Sequence, residues 1–111
     1  MVNVDWGRIL RYIIYIMTLE ELLLHKKEIL AIAKKRGAKN VRVFGSVARG
    51  ESKEGSDVDI LIDIEPGTSL LDLGGLLMDL QDLLKCNVDI AIAGSLKPRL
   101  KDHVLKEALP L

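Results

Sequence analysis

Residues 44–63 read FGSVARGESKEGSDVDILID, and the way this stretch divides decides the fold. The residues that end at Phe44 are rich in β-formers, a Gly-Ser pair closes them, and a polar loop follows. Residues 58–64 are then mostly apolar, as in a central strand covered on both faces. The stretch therefore reads as strand, loop, strand. Two aspartates, Asp57 and Asp59, stand at the mouth of the second strand, where a charge entering a buried segment is costly unless something neutralises it. At i and i+2 on a strand their side chains emerge on one face, roughly 7 Å apart at a rise of ~3.3 Å per residue.

Working outward, Thr18 and Glu21 have the spacing of a capping box, and apolar residues recur at helical intervals from Leu19 to Ala33. With Lys34, Lys35 and Arg36 at its negative end and Gly37 as a C-cap, residues 18–36 are expected to form one helix. Residues 41–44 give the first strand. After residue 64, Pro66-Gly67 breaks the chain, Thr68 or Ser69 can cap, and Leu73, Leu76, Leu77, Leu80, Leu83 and Leu84 trace a second long helix. Gly74-Gly75 inside it costs roughly 1 kcal/mol per Gly relative to Ala, which points to a bend or a close approach of another backbone. Residues 88–92 form a third strand, parallel to the second because a helix carries the chain between them. A last helix starts near residues 95–98 and presents Leu100, Val104, Leu105 and Ala108 on one side. The fold class is α/β (α+β), a small mixed sheet of about three strands flanked by helices. Residues 1–17 read as an N-terminal extension, whether an appended segment, an upstream start or an extra helix, and residues 18–111 as the domain.

The chain of 111 residues is long enough for one core and not for two. Hydrophobic residues make up 49% and charged residues 29%, so neither disorder nor a membrane class is indicated. Sixteen basic and sixteen acidic residues cancel without a block of like charge, which excludes a grip on a long nucleic-acid backbone as the source of affinity. No stable nucleic-acid partner is expected. Cys86 is the single cysteine and reads as a reduced core thiol, which favours the cytoplasm. The apolar run YIIYIM at 12–17 is too short to span a bilayer and lacks a following cleavage site.

Paired carboxylates at this spacing repel each other unless they bind a cation. Mg²⁺ characteristically takes one or two protein carboxylates and completes its shell with substrate phosphates. Two-metal nucleotidyl transfer wants one further carboxylate, and Asp89, an isolated acid in the third strand, supplies it. Gly45-Ser46 can bring backbone and hydroxyl donors close to a triphosphate. Each element taken singly is ordinary: a Gly-Ser turn is usually just a loop, and acids at strand ends are usually just solvated. Their combination is what nucleotidyl transfer needs and core packing does not. His25 and His103, without a ligand partner at i+4, read as solvated faces, and Asp63 as an exposed strand exit.

The run Gly45-Ser46, ten residues at 47–56, and Asp57-Val58-Asp59 resembles the signature of the polymerase-beta-like nucleotidyltransferase superfamily. With PGTSLLDL, NVDIAI and SLKPRLKDHVLKEAL after it, the chain is most similar to the minimal nucleotidyltransferases that act as antitoxins beside HEPN-domain ribonuclease toxins. The resemblance covers residue 18 to the C-terminus. It implies that Gly45 and Ser46 form the nucleotide-phosphate turn, that Asp57 and Asp59 ligate Mg²⁺, and that Asp89 is the third carboxylate, which helps to activate the attacking hydroxyl. Arg49 matches the family's Ala-Arg-Gly segment, where a phosphate contact and a loop-fixing salt bridge are equally open. The implied activity is Mg²⁺-dependent transfer of AMP from ATP to a tyrosine of the partner HEPN toxin, in a hetero-oligomer with it. The alternatives are an antitoxin that acts by occlusion alone, and transfer to a small molecule or to RNA.

Overall fold

The computed structural model describes residues 3–5 and 17–111. Helices α1 (Leu19–Leu24) and α2 (Lys26–Lys35) lead into strand β1 (Ala38–Phe44), a short helix α3 (Gly45–Arg49), strand β2 (Val58–Ile64) and helix α4 (Leu70–Leu84). Strand β3 (Val88–Ile92), a 3-10 turn (Ala93–Ser95), helix α5 (Pro98–Glu107) and a short strand β4 (Leu109–Pro110) complete the chain. Among the described residues the sheet has four strands in the order β3-β2-β1-β4. Strand β2 runs parallel to β3 and antiparallel to β1, as the helical connection requires, and β4 pairs antiparallel with β1 at the edge. The expected three strands thus become four. The extra strand is two residues long and includes Pro110, too little for a strand pattern to register in sequence.

The two faces of the sheet are covered unequally. Val58, Ile60 and Ile62 of β2 join Val41 and Val43 of β1 against Leu22, Ile29 and Ala33 of α1 and α2 and Leu76, Leu80 and Leu84 of α4. Each fully buried Val, Leu or Ile is worth ~1.5–3 kcal/mol relative to exposure, so this face supplies the main core. The opposite face carries Asp59, Leu61 and Asp63, and only a small cluster of Leu61, Ala93 and Val104, with Phe44 and Ala91 beside it, covers it. One face carries the main core under the helices, while the other is covered by the smaller cluster alone.

Three local features differ from the sequence-based expectations. The first helix is broken at His25, where φ −98° and ψ 9° and an N–H bonded to the Leu22 carbonyl tighten the chain to a 3-10-like turn. No Gly or Pro marks the break, and Leu22 and Ile29 stay in phase across it, so apolar periodicity runs straight through. Strand β1 starts earlier than expected because a bulge between Lys39 and Arg42, with Asn40 at φ +50°, lets both Ala38 and Val41 face inward. Gly75 is explained by a side chain and not by a neighbouring backbone: a Cβ there would lie 2.6 Å from the guanidinium of Arg36, which pairs with Asp79 at 3.1 Å. On α5, Val104 is buried while Leu100 and Leu105 are exposed, so the expected four-residue apolar side is narrower.

At the N-terminus, residues 3–5 show no regular secondary structure and Met17 is buried in the main core. The rest of the expected extension, including its extra-helix reading, lies outside the described residues. No helix among the described residues is long and apolar enough to cross a membrane.

Candidate active site

Strand β1 delivers the chain to the site through a backbone that only glycine adopts readily. Gly45 has φ +73°, and a Cβ on it would stand 2.1 Å from Asp59 Oδ2, so the turn and the carboxylate are in direct contact. From Gly45 the chain enters α3 instead of the open loop that the Gly-Ser pair suggested. A five-residue helix between a strand and a polar loop offers no period long enough to read. Its first-turn amides have no acceptor within the helix and face away from its body.

The carboxylates come from two adjacent strands. Asp59 of β2 is the register partner of both Phe44 of β1 and Asp89 of β3, so Asp59 and Asp89 sit side by side on the less covered face. Asp57 immediately precedes β2, where the Val58 N–H bonds the Asn87 carbonyl and fixes the strand mouths together. Burial first, then the charges of Asp89 and Asp57, push the Asp59 carboxyl above its ordinary range, against the pull of Arg49. Asp59 thus feels the charge of both of the other acids that the sequence singles out.

Arg49 is held by two carboxylates. Its Nε donates to Glu51 at 2.9 Å and its Nη1 donates to Glu107 at 2.9 Å, and these bonds raise the affinity of the guanidinium for its proton. The salt-bridge reading of Arg49 is therefore the one present in the structure. Glu107, which sequence reasoning passed over, also accepts a hydrogen bond from the Gly45 N–H. Nothing local marks it: it lies 62 residues from Gly45 and looks like a solvated position at the end of an amphipathic helix. Ser46 is the second residue of α3 and half-buried beside the turn. His103 reaches no closer than 3.9 Å to Glu107, in keeping with its solvated reading.

Among the described residues no group of three His, Cys, Asp or Glu side chains converges into a ready-made metal cage. The oxygens that Asp59 and its neighbours offer would nonetheless suit a hard divalent cation, since Asp59 carries the added negative charge of Asp89 and Asp57. Mg²⁺ in particular keeps waters and takes phosphate oxygens rather than a complete protein cage.

The sequence model of the family described as "Nucleotidyltransferase domain" matches residues 26–111. The chain belongs to this family. It is 45% identical over 84 residues to MJ0435 of Methanocaldococcus jannaschii, named a candidate protein adenylyltransferase, covering 76% of this chain and 90% of that one. It is 43% identical over 97 residues to the protein adenylyltransferase MntA of Thermococcus cleftensis, covering 84% of this chain and 95% of that one. The structure of a candidate minimal nucleotidyltransferase superposes with a TM-score of 0.79 at 47% identity, covering 86% of this chain and 97% of that chain. The fold is also that of a chain in a crystal structure of a toxin-antitoxin with AMP-PNP, with a TM-score of 0.66 at 20% identity over 77% of this chain and 70% of that one. The four-stranded sheet with helices packed on it is accordingly a nucleotidyltransferase fold, and the chain is an enzyme of that class.

Proposed function

We propose that the chain is an antitoxin that transfers AMP from ATP, with Mg²⁺, onto a tyrosine of a partner HEPN-domain ribonuclease toxin. The observation that carries this reading is the close approach of the Gly45 turn to Asp59, with Asp89 the register partner of Asp59 on the next strand. Relatives named as protein adenylyltransferases, and a fold shared with a chain solved in a toxin-antitoxin complex, support the choice of a protein acceptor.

In this reading Gly45 and Ser46 bind the phosphates, Arg49 lends positive charge beside them, and Asp57, Asp59 and Asp89 hold the divalent cation. Bound Mg²⁺ would neutralise charge on the entering and leaving oxygens. The tyrosine oxygen attacks the α-phosphorus in line, the bond to the bridging oxygen breaks, and pyrophosphate leaves with that electron pair. The phenolic proton passes to a carboxylate, and Asp89 is the one proposed for that role. Burial on one side keeps Asp59 oriented toward the turn, so its carboxylate needs little rearrangement when the nucleotide arrives.

The test is to incubate the chain with ATP, Mg²⁺ and the toxin encoded beside it and to weigh both proteins. AMP units gained by the toxin at a tyrosine, and lost with Asp57→Ala plus Asp59→Ala, are expected. A tight complex without any mass change, in metal-replete protein that binds ATP, would contradict transfer and leave occlusion.

A further inference from the structure

Glu107 is an expensive residue in its place. It ends α5, where the helix dipole disfavours a negative charge, and its charge adds to those that press on Asp59. Only 16% of its side chain is exposed, so much of its hydration is lost. What compensates is the phosphate turn itself: one oxygen, Oε1, accepts from both the Gly45 N–H and Arg49 Nη1. A carboxylate that only needed a partner would find one in water at far less cost.

The geometry points to Glu107 as a positioning residue for the nucleotide site, holding the Arg49 guanidinium and the conformation of the Gly45 turn in the arrangement that receives the polyphosphate. This rests on the nucleotide-transfer reading above. With Nε on Glu51 and Nη1 on Glu107, Arg49 is fixed from two directions, and neither bond uses Nη2. A planar fork anchored at two nitrogens has lost most of its rotamer freedom before the ligand arrives, so less is lost on binding. The anchor on Gly45 also ties α5 to the turn that touches Asp59, which couples the last helix of the chain to the carboxylates. Glu107 acts through Arg49 and Gly45 and not on the reacting atoms.

The experiment is a double-mutant cycle read by calorimetric binding of Mg²⁺ with α,β-methylene-ATP to the wild type, Glu107→Gln, Arg49→Ala and the double variant. Glu107→Gln keeps an acceptor for the Gly45 N–H and removes the charge that anchors Arg49. It is expected to weaken nucleotide binding about tenfold in the wild-type background, and less than about twofold once Arg49 is gone, because coupled residues are not additive. Glu107→Asp, which keeps the charge but shortens the reach, serves as the second variant and should fall between Gln and the wild type. Equal losses in both backgrounds, accompanied by a lowered melting temperature, would make Glu107 a mere structural strut and overturn the proposal. So would tighter binding in Glu107→Gln, which would mean that the carboxylate competes with phosphate. A wild type that binds no nucleotide would overturn the functional reading and this inference together, whereas normal binding in every Glu107 variant would overturn this inference alone.

Discussion

Asp59 and Asp63 stand on the same face of β2, yet their surroundings push them in opposite directions. Asp63 accepts from Asn40 at 2.8 Å and from Arg42 at 3.2 Å, and these partners hold its carboxyl below the usual range. Asp59 is half-buried against Gly45 with Asp89 and Asp57 as its charged neighbours, and its carboxyl is held above that range. The protein supplies the cation for one end of the strand and leaves the other end short of one. A fold that wanted only to satisfy Asp59 had the example of Asp63 a few residues away. Under the proposed function the Asp59 end is where an external cation would bind, and an unstable arrangement kept at a functional site is the usual pattern.

The largest effect that could break this contrast is on activity. Asp59→Asn should lower AMP transfer by more than about 10²-fold, since even the outer-sphere partners of metal ligands are worth 10–100-fold. The same substitution should stabilise the metal-free fold. A carboxyl whose folded-state pKa is raised binds protons more tightly when folded, so between the unfolded value and the folded one stability falls as pH rises. Urea unfolding in EDTA should therefore show Asp59→Asn above the wild type at pH 7 and level with it at pH 3. A variant that is both inactive and less stable at pH 7 would put Asp59 in an ordinary structural role.

Next in size is Gly45→Ala. The left-handed backbone costs a non-glycine residue about 1–3 kcal/mol, and the added Cβ must also displace the Asp59 carboxylate. Unfolding midpoints measure the first effect and nucleotide affinity the second, and both should fall. The smallest effect belongs to the satisfied end: Asp63→Asn, at a half-buried pair with Arg42, should cost about 1 kcal/mol with transfer unchanged. Because the Asp63 carboxyl is depressed in the folded state, that loss should be present at pH 7 and fade as pH falls through the folded value.

These differences also show where sequence reading reaches and where it stops. The strand at Val58–Ile64, the parallel partner at Val88–Ile92 and the capped helix between them follow from apolar runs, turn residues and chirality, and together they put Asp89 beside Asp59. The acids were legible because an isolated charge in an apolar strand lacks a local excuse. Glu107 was not, since an acid in an amphipathic helix has an excuse at every solvent-facing position and its partners lie far away in the chain. Gly75 stands out in the sequence, yet only tertiary packing reveals that the Arg36 guanidinium occupies the space of its missing Cβ. The break at His25 and the helix at Gly45–Arg49 are single-turn events that carry no period of their own.

The most direct measurement of the central claim is the binding of ATP's non-hydrolysable analogue α,β-methylene-ATP, by calorimetry, to the wild type with Mg²⁺, to the wild type in EDTA, and to Asp59→Asn with Mg²⁺. The carboxylate cluster as a cation site predicts tight binding in the first case and at least about tenfold weaker binding in the other two. Equal affinity in all three would contradict it, leaving the uncompensated charge at the mouth of β2 without a ligand to explain it.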